Sequence, residues 1–189
     1  MQPQEPKGLG GWIVTNLVIL GGMALFAVWA YPTLPATYPV HFDMQGNPNR
    51  WVPGNSPEWF LVLGISVFIN VVFVAISVSL PKMPISIVNV PHKERFLQLP
   101  SHQQRSILSS FSKMLLTLGL SVNVLMTGLY VMLYEVALQR IRPPSGWPIL
   151  AVPIGMVALM LGWTLQISRR IRRECEDNEM RQAHGQRSR

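Results

Sequence analysis

Four stretches of this chain run for about 20 residues or more without a lysine, arginine or aspartate, the length an α-helix needs to cross bilayer hydrocarbon. They are Trp12 to Tyr31, Trp59 to Leu80, Met114 to Leu138 and Trp147 to Ser168, and Glu135 is the one acidic residue in them. Only 13% of the chain is charged, against about 25% in a soluble domain. The pattern predicts an all-α integral membrane protein: four transmembrane helices with an ordered, proline-rich loop on the extracytoplasmic side. The organisation expected is a four-helix membrane domain over residues 1–168 and a basic cytoplasmic tail over 169–189. The first span is read as an uncleaved helix, because its apolar run is long for a signal peptide and only Lys7 precedes it.

The basic residues set the expected orientation. Lys7, the second loop (Lys82, Lys93, Arg95, Arg105) and the tail with its seven arginines share one side. The other side carries Arg50, Arg140 and Arg142. The positive-inside rule puts the first side in the cytoplasm, so both termini are expected there, in a bacterial inner (plasma) membrane. Trp29, Tyr31, Trp59, Tyr134 and Trp147 then fall near the outer interface. The net charge of +7 is concentrated after the fourth span, in Arg169, Arg170, Arg172 and Arg173. That placement suits anionic headgroups rather than nucleic acid. Acidic residues follow one helical turn on, as in Arg170 and Glu174, so the segment reads as a helix extension that fixes topology. Residues 183–189 are expected to be disordered.

In lipid, helices associate through close packing and buried hydrogen bonds. Ala151, Gly155, Ala158 and Gly162 form a small-residue stripe on the fourth span, where a second backbone can approach. Asn70 and Asn123 fall near mid-membrane and each needs a partner, either the other amide or a backbone carbonyl. Helix glue is the reading favoured for them over a polar relay. Glu135 lies near the outer end of the third span, within reach of Arg140 or Arg142, and is the residue a small oligomeric transporter would use.

The first loop, residues 32–58, contains Pro32, Pro35, Pro39, Pro48, Pro53 and Pro57. That density favours extended chain and tight turns, with Gln45-Gly46-Asn47-Pro48 as one turn. His41, Asp43 and Glu58 are too few and too scattered for a persuasive metal or acid–base site. No nucleophile elbow or phosphate loop appears, and one cysteine excludes a disulfide framework. Neither enzyme activity, cofactor nor metal is expected. In the inner loop, residues 81–112, Ser101 is predicted to cap a helix with Gln104 as its capping-box partner. That helix would lie on the membrane or run into the third span.

His41-Phe42-Asp43-Met44-Gln45-Gly46-Asn47-Pro48-Asn49-Arg50-Trp51 resembles the "HF-x3-G-x-P-x2-W" signature of a bacterial membrane domain of unknown function. That domain forms the N-terminal part of SdpI-like proteins, which confer immunity to a toxin. Asn89-Val90-Pro91-His92-Lys93-Glu94 is similar to the same family's "N-[IV]-P-N-K" motif, with His92 in place of the usual asparagine. The resemblance covers about residues 31–100 and lacks the family's further C-terminal signature. It implies a non-catalytic membrane module that binds a peptide or protein through His41, Phe42, Asp43, Gly46, Asn47, Pro48 and Trp51. Asn89, Pro91 and Lys93 would form the inner-loop motif, and the role would be immunity or signalling. The alternatives are an accessory subunit of a larger membrane complex and the Glu135 transporter. The expected partners are the lipid bilayer and a protein or a second copy of the chain.

Overall fold

The computed structural model describes residues 8–90, 93–143 and 146–187, with side chains undescribed at Ser86 and at some further positions in α5. Five α-helices and one hairpin account for most of it: α1 (Leu9–Ala30), β1 (Thr37–Phe42), β2 (Pro48–Pro53), α2 (Leu61–Ser79), α3 (Lys93–Leu97), α4 (Ser101–Ala137) and α5 (Gly146–Arg187). Short 3-10 turns extend α1 and α2 at both sides of the hairpin and beyond Ser79. Among the described residues, three helical stretches are long and apolar enough to cross a membrane: Leu9–Thr33, Pro57–Lys82 and Ser101–Ala137. The fourth apolar stretch, 147–168, lies inside α5, and the side chains of Trp147 and Pro153 fall outside the described residues.

Helices α1, α2 and α4 form where the sequence leaves no breaker. Proline is absent from α1, α2 and α4, and the prolines of the loops stand at turn starts: Pro32, Pro57 and Pro81 each sit in the first two positions of a 3-10 turn. The chain runs along α1, back along α2 and forward again along α4. The inward residues repeat at heptad-like spacing. On α4 they include Ser112, Leu116, Gly119, Asn123, Tyr130 and Tyr134, and on α1 Leu9, Asn16, Met23, Ala27 and Ala30. Such spacing keeps one seam facing a neighbour along the whole helix. The opposite faces carry Val14, Val18, Leu25, Phe68, Val71 and Val124, all exposed. Greasy residues outside and amides inside are what a bilayer requires.

Several expectations need correction. The chain is mostly helical but not all-α, because residues 37–53 pair as an antiparallel hairpin. Prolines usually argue against a strand. Here both strands are edges, so Pro39, Pro48 and Pro53 have an unpaired side on which the missing N–H is harmless. The register is irregular between Pro39 and Phe42, where Val40 is skipped. Of the two courses expected for the helix starting at Ser101, it takes the second and runs on into the third apolar stretch, 37 residues in all. Pro100 precedes that helix without a side-chain cap. Gln104 does not close a capping box: its amide donates to the carbonyls of Phe96 (3.0 Å) and Leu97 (3.0 Å), satisfying the end of α3 instead. The helix α5 continues to Arg187, past the point where disorder was expected.

Beyond the apolar stretches the basic segments fold together. Val90, Phe96, Leu99, Ile107, Ile167, Ile171 and Cys175 make a second apolar cluster where α3, the start of α4 and the second half of α5 meet. Arg95 clamps Glu179 through two hydrogen bonds of 2.8 and 2.7 Å. Cys175 is 2% exposed, and burial pushes its thiol above the ordinary range.

Candidate functional site

The hairpin is joined to the helices by aromatic side chains. Trp59, at the entry to α2, donates from its indole N–H to the Ala27 carbonyl of α1 at 2.9 Å. Its own carbonyl accepts from the Tyr130 hydroxyl of α4. One residue therefore ties three helices together. Tyr38 of β1 meets the Trp59 ring edge-on at 5.9 Å, and Val52 of β2 is buried in the same cluster. Burial, more than the nearby Glu58 carboxylate, raises the Tyr38 phenol to about 12. Thr33 bonds the Tyr134 hydroxyl at 2.8 Å, and Tyr31 donates to the Asn55 carbonyl at 2.7 Å. At the base, Gly54 is required by close approach. A Cβ there would lie 2.1 Å from the Pro35 carbonyl oxygen.

The signature residues shape the far end of the hairpin. Asp43 organises the turn: one carboxylate oxygen accepts from the Gln45 and Asn47 backbone N–H groups at 3.0 and 2.7 Å. The other accepts from the Asn47 side chain at 3.0 Å. These bonds to the charged form, led by that from the Asn47 backbone, hold the Asp43 carboxyl below its usual range. Gly46 takes φ 86°, which a side chain would resist, and sends its N–H to the Asp43 carbonyl. His41 bonds Asn49 through Nδ1, Arg50 pairs with Glu58 at 2.9 Å, and Pro48 faces Phe42 across the strands. The three groups His41, Asp43 and Glu58 thus each serve a different partner. What remains outward is Trp51, 55% exposed, and Met44, 56% exposed, beside the exposed His41 and Asn47.

Halfway along the bundle, Asn70 and Asn123 do bond each other, and a third amide completes the set. Asn70 donates to the Asn123 Oδ1, and Asn123 returns a bond to the Asn70 Oδ1 at 3.1 Å. The second N–H of Asn123 reaches the Asn16 Oδ1 at 3.1 Å. Asn16 spends its own N–H groups on the carbonyls of Trp12 (2.9 Å) and Leu116 (3.1 Å), and Asn70 its second on Ser66 (2.9 Å). Carbonyls only accept, so the amide orientations at Asn16 and Asn70 are dictated by these partners. Every N–H of the three amides is used, and every Oδ1 accepts. Gly119 leaves the gap beside them, since a Cβ there would sit 3.3 Å from the Asn16 oxygen. Asn16 was not singled out in the sequence. The available signal was an amide inside an uncharged span, and only the crossing of α1 with α4 shows which turn faces inward.

The remaining predicted residues lie apart. Glu135 is near the end of α4 and pairs with Arg140 at 3.3 Å. It stands twelve residues, about 18 Å of helix, from Asn123. Asn89 is exposed, Lys93 begins α3, and Pro91 lies outside the described residues. Ala151, Gly155, Ala158 and Gly162 are all exposed, and a Cβ on either glycine would meet nothing within 4 Å. The stripe is therefore not used for packing among the described residues.

Apolar helices with a polar seam, closed at one end by an aromatic-anchored hairpin, define a helical membrane protein in contact with lipid. Residues 18–69 match the model of a family described as Domain of unknown function (DUF1648). The match takes in the second half of α1, the whole hairpin and the first half of α2, and so includes His41 to Trp51. It starts before the motif-based resemblance and ends before Asn89. No curated protein and no solved structure matches the chain.

Proposed function

We propose that this chain is a non-catalytic protein of the bacterial plasma membrane, crossing it four times with both termini in the cytoplasm. Its hairpin, on the outer side, binds a peptide or protein partner. The observation that carries this reading is the contrast within the hairpin. Tyr38, Val52 and Trp59 anchor its base, while Trp51, Met44 and His41 are held outward on a turn stiffened by Asp43. Exposed aromatic and methionine side chains on a fixed scaffold are common anchors of protein interfaces. The likeness of His41–Trp51 to the SdpI-like signature supports an immunity or signalling role for that contact.

A photo-crosslinking amino acid at position 51, used in intact cells, tests it. The expected result is a discrete protein adduct that disappears when His41 is also replaced by alanine. Adducts with lipid alone would overturn the reading. Orientation is tested separately: a cysteine at Asn47 should react with an impermeant reagent in intact cells.

The exposed small-residue stripe of α5 favours a second reading, an accessory subunit or homo-oligomer that packs there. A stoichiometric partner retained in mild detergent, and lost on Gly155→Leu, would select it.

A further inference from the structure

At the basic end, α4 and α5 border an open groove of about 610 Å³. Ser110 lines it from α4, and Trp163, Ile167, Arg169, Arg170 and Arg173 line it from α5. The level of the groove is set by α4, one of the three helices apolar enough to span. Towards the hairpin, Met114 of α4 stands against Thr164 of α5, and Leu161 and Leu165 are exposed on the i, i+4 row of α5 that continues through Arg169 and Arg173. Away from it, within two turns, the same face of α5 becomes cationic. The groove therefore sits where hydrocarbon gives way to headgroups.

The three arginines are not equivalent. Each guanidinium nitrogen of Arg170 makes one bond, to Ser110 (2.8 Å), Ser106 (2.9 Å) and Glu174 (2.8 Å), and together they join the two helices. Arg169 and Arg173 are exposed and have no hydrogen bond or ion pair among the described residues. They stand four residues apart, where like charges repel unless an anion lies between them. Glu174, also in the lining, offsets Arg170, so the groove keeps two uncompensated positive charges.

We propose that this groove binds the phosphate of an anionic phospholipid, held by Arg169 and Arg173, with the acyl chains along Leu161 and Leu165. The continuity of cationic and apolar surface selects a lipid over free phosphate, which has no use for the apolar half. The inference needs the chain to sit in a bilayer and is independent of what the hairpin binds.

The test uses the full chain in a nonionic detergent, with phosphatidylglycerol titrated in and bound lipid counted by native mass spectrometry. R169Q/R173Q should weaken phosphatidylglycerol binding roughly thirtyfold, and each single variant roughly fivefold, with phosphatidylcholine unaffected. R172Q, outside the groove, should bind like the parent. If the double variant exposes Cys175 to a thiol reagent, its fold has changed and the single variants decide. Unchanged binding in the R169Q and R173Q variants overturns the proposal, as does an equal loss in R172Q. Displacement of the lipid by inorganic phosphate would show a phosphate site and overturn the lipid assignment.

Discussion

Along the three helices apolar enough to cross a membrane, the inward side chains include Asn16, Ser66, Asn70, Ser77, Ser112 and Asn123, while Val18, Phe68 and Val71 face out. At the basic end the order is reversed. Val90, Phe96, Ile107 and Ile171 are inside, and Glu94, Glu176 and Glu179 are exposed. The difference follows from the surroundings. Water drives apolar side chains together, whereas lipid tails give them no reason to leave the surface. In lipid it is the amide that has nowhere else to go, so hydrogen bonds and close contact hold the helices. The same chain thus uses two opposite rules within α4, which changes from one to the other near Ser112.

That contrast can be broken experimentally, and the largest effect belongs to the water-facing cluster. Phe96→Ala should cost about 3–5 kcal/mol, the range for a buried phenylalanine. Hydrogen exchange should rise in the first turns of α4 and around Ile171, with Asn70 and Asn123 still protected. Equal loss of protection throughout would mean that the two regions are one cooperative unit. Asn123→Leu comes next, at about 2–3 kcal/mol, because it strands acceptors on Asn16 and Asn70 and a donor on Asn70. Replacing all three asparagines by leucine should be milder than that single change, since no buried polar group is then left alone. Unfolding by a denaturing detergent compares the two. Gly54→Ala should cost about 1–3 kcal/mol by driving β2 off Pro35, with the loss confined to the hairpin.

Two smaller effects sharpen the comparison. Arg95→Gln should shift the denaturation midpoint little, and less still at high salt, because the side chains of both partners of the Arg95–Glu179 pair are solvent-accessible, 41% and 49%. Asp43 supplies a pH dependence of known sign. Its carboxyl is depressed in the folded chain, so its contribution is complete above the ordinary carboxylate range and is lost as pH falls through the lower folded value. The Asn47 amide resonance should report this, moving on acidification in the parent and staying still in Asp43→Asn.

The sequence disclosed the parts of the molecule that depend on composition along one helix. Uncharged length marked α1, α2 and α4, and the cost of a lone amide in hydrocarbon marked Asn70 and Asn123. It was less informative where the answer depended on two elements meeting. Asn16 joins the amides only because α1 crosses α4 at Leu116. The strands were hidden by prolines whose unpaired edges become visible only once the hairpin is closed. Gln104 looked like a partner for Ser101, but its amide goes instead to the carbonyls of Phe96 and Leu97 at the end of α3. Of the hairpin residues, Asp43 and Gly46 could be read as turn formers. The roles of Tyr38 and Trp59 required knowing that Ala27 and Tyr130 lie beneath them.

Cys175 is the chain's sole thiol, and it is shut away between α3 and α5. Maleimide chemistry therefore starts from a silent background. A cysteine introduced at any exposed position can be tagged without first removing the native one, and delayed labelling of the parent chain becomes a clock for the lifting of α5.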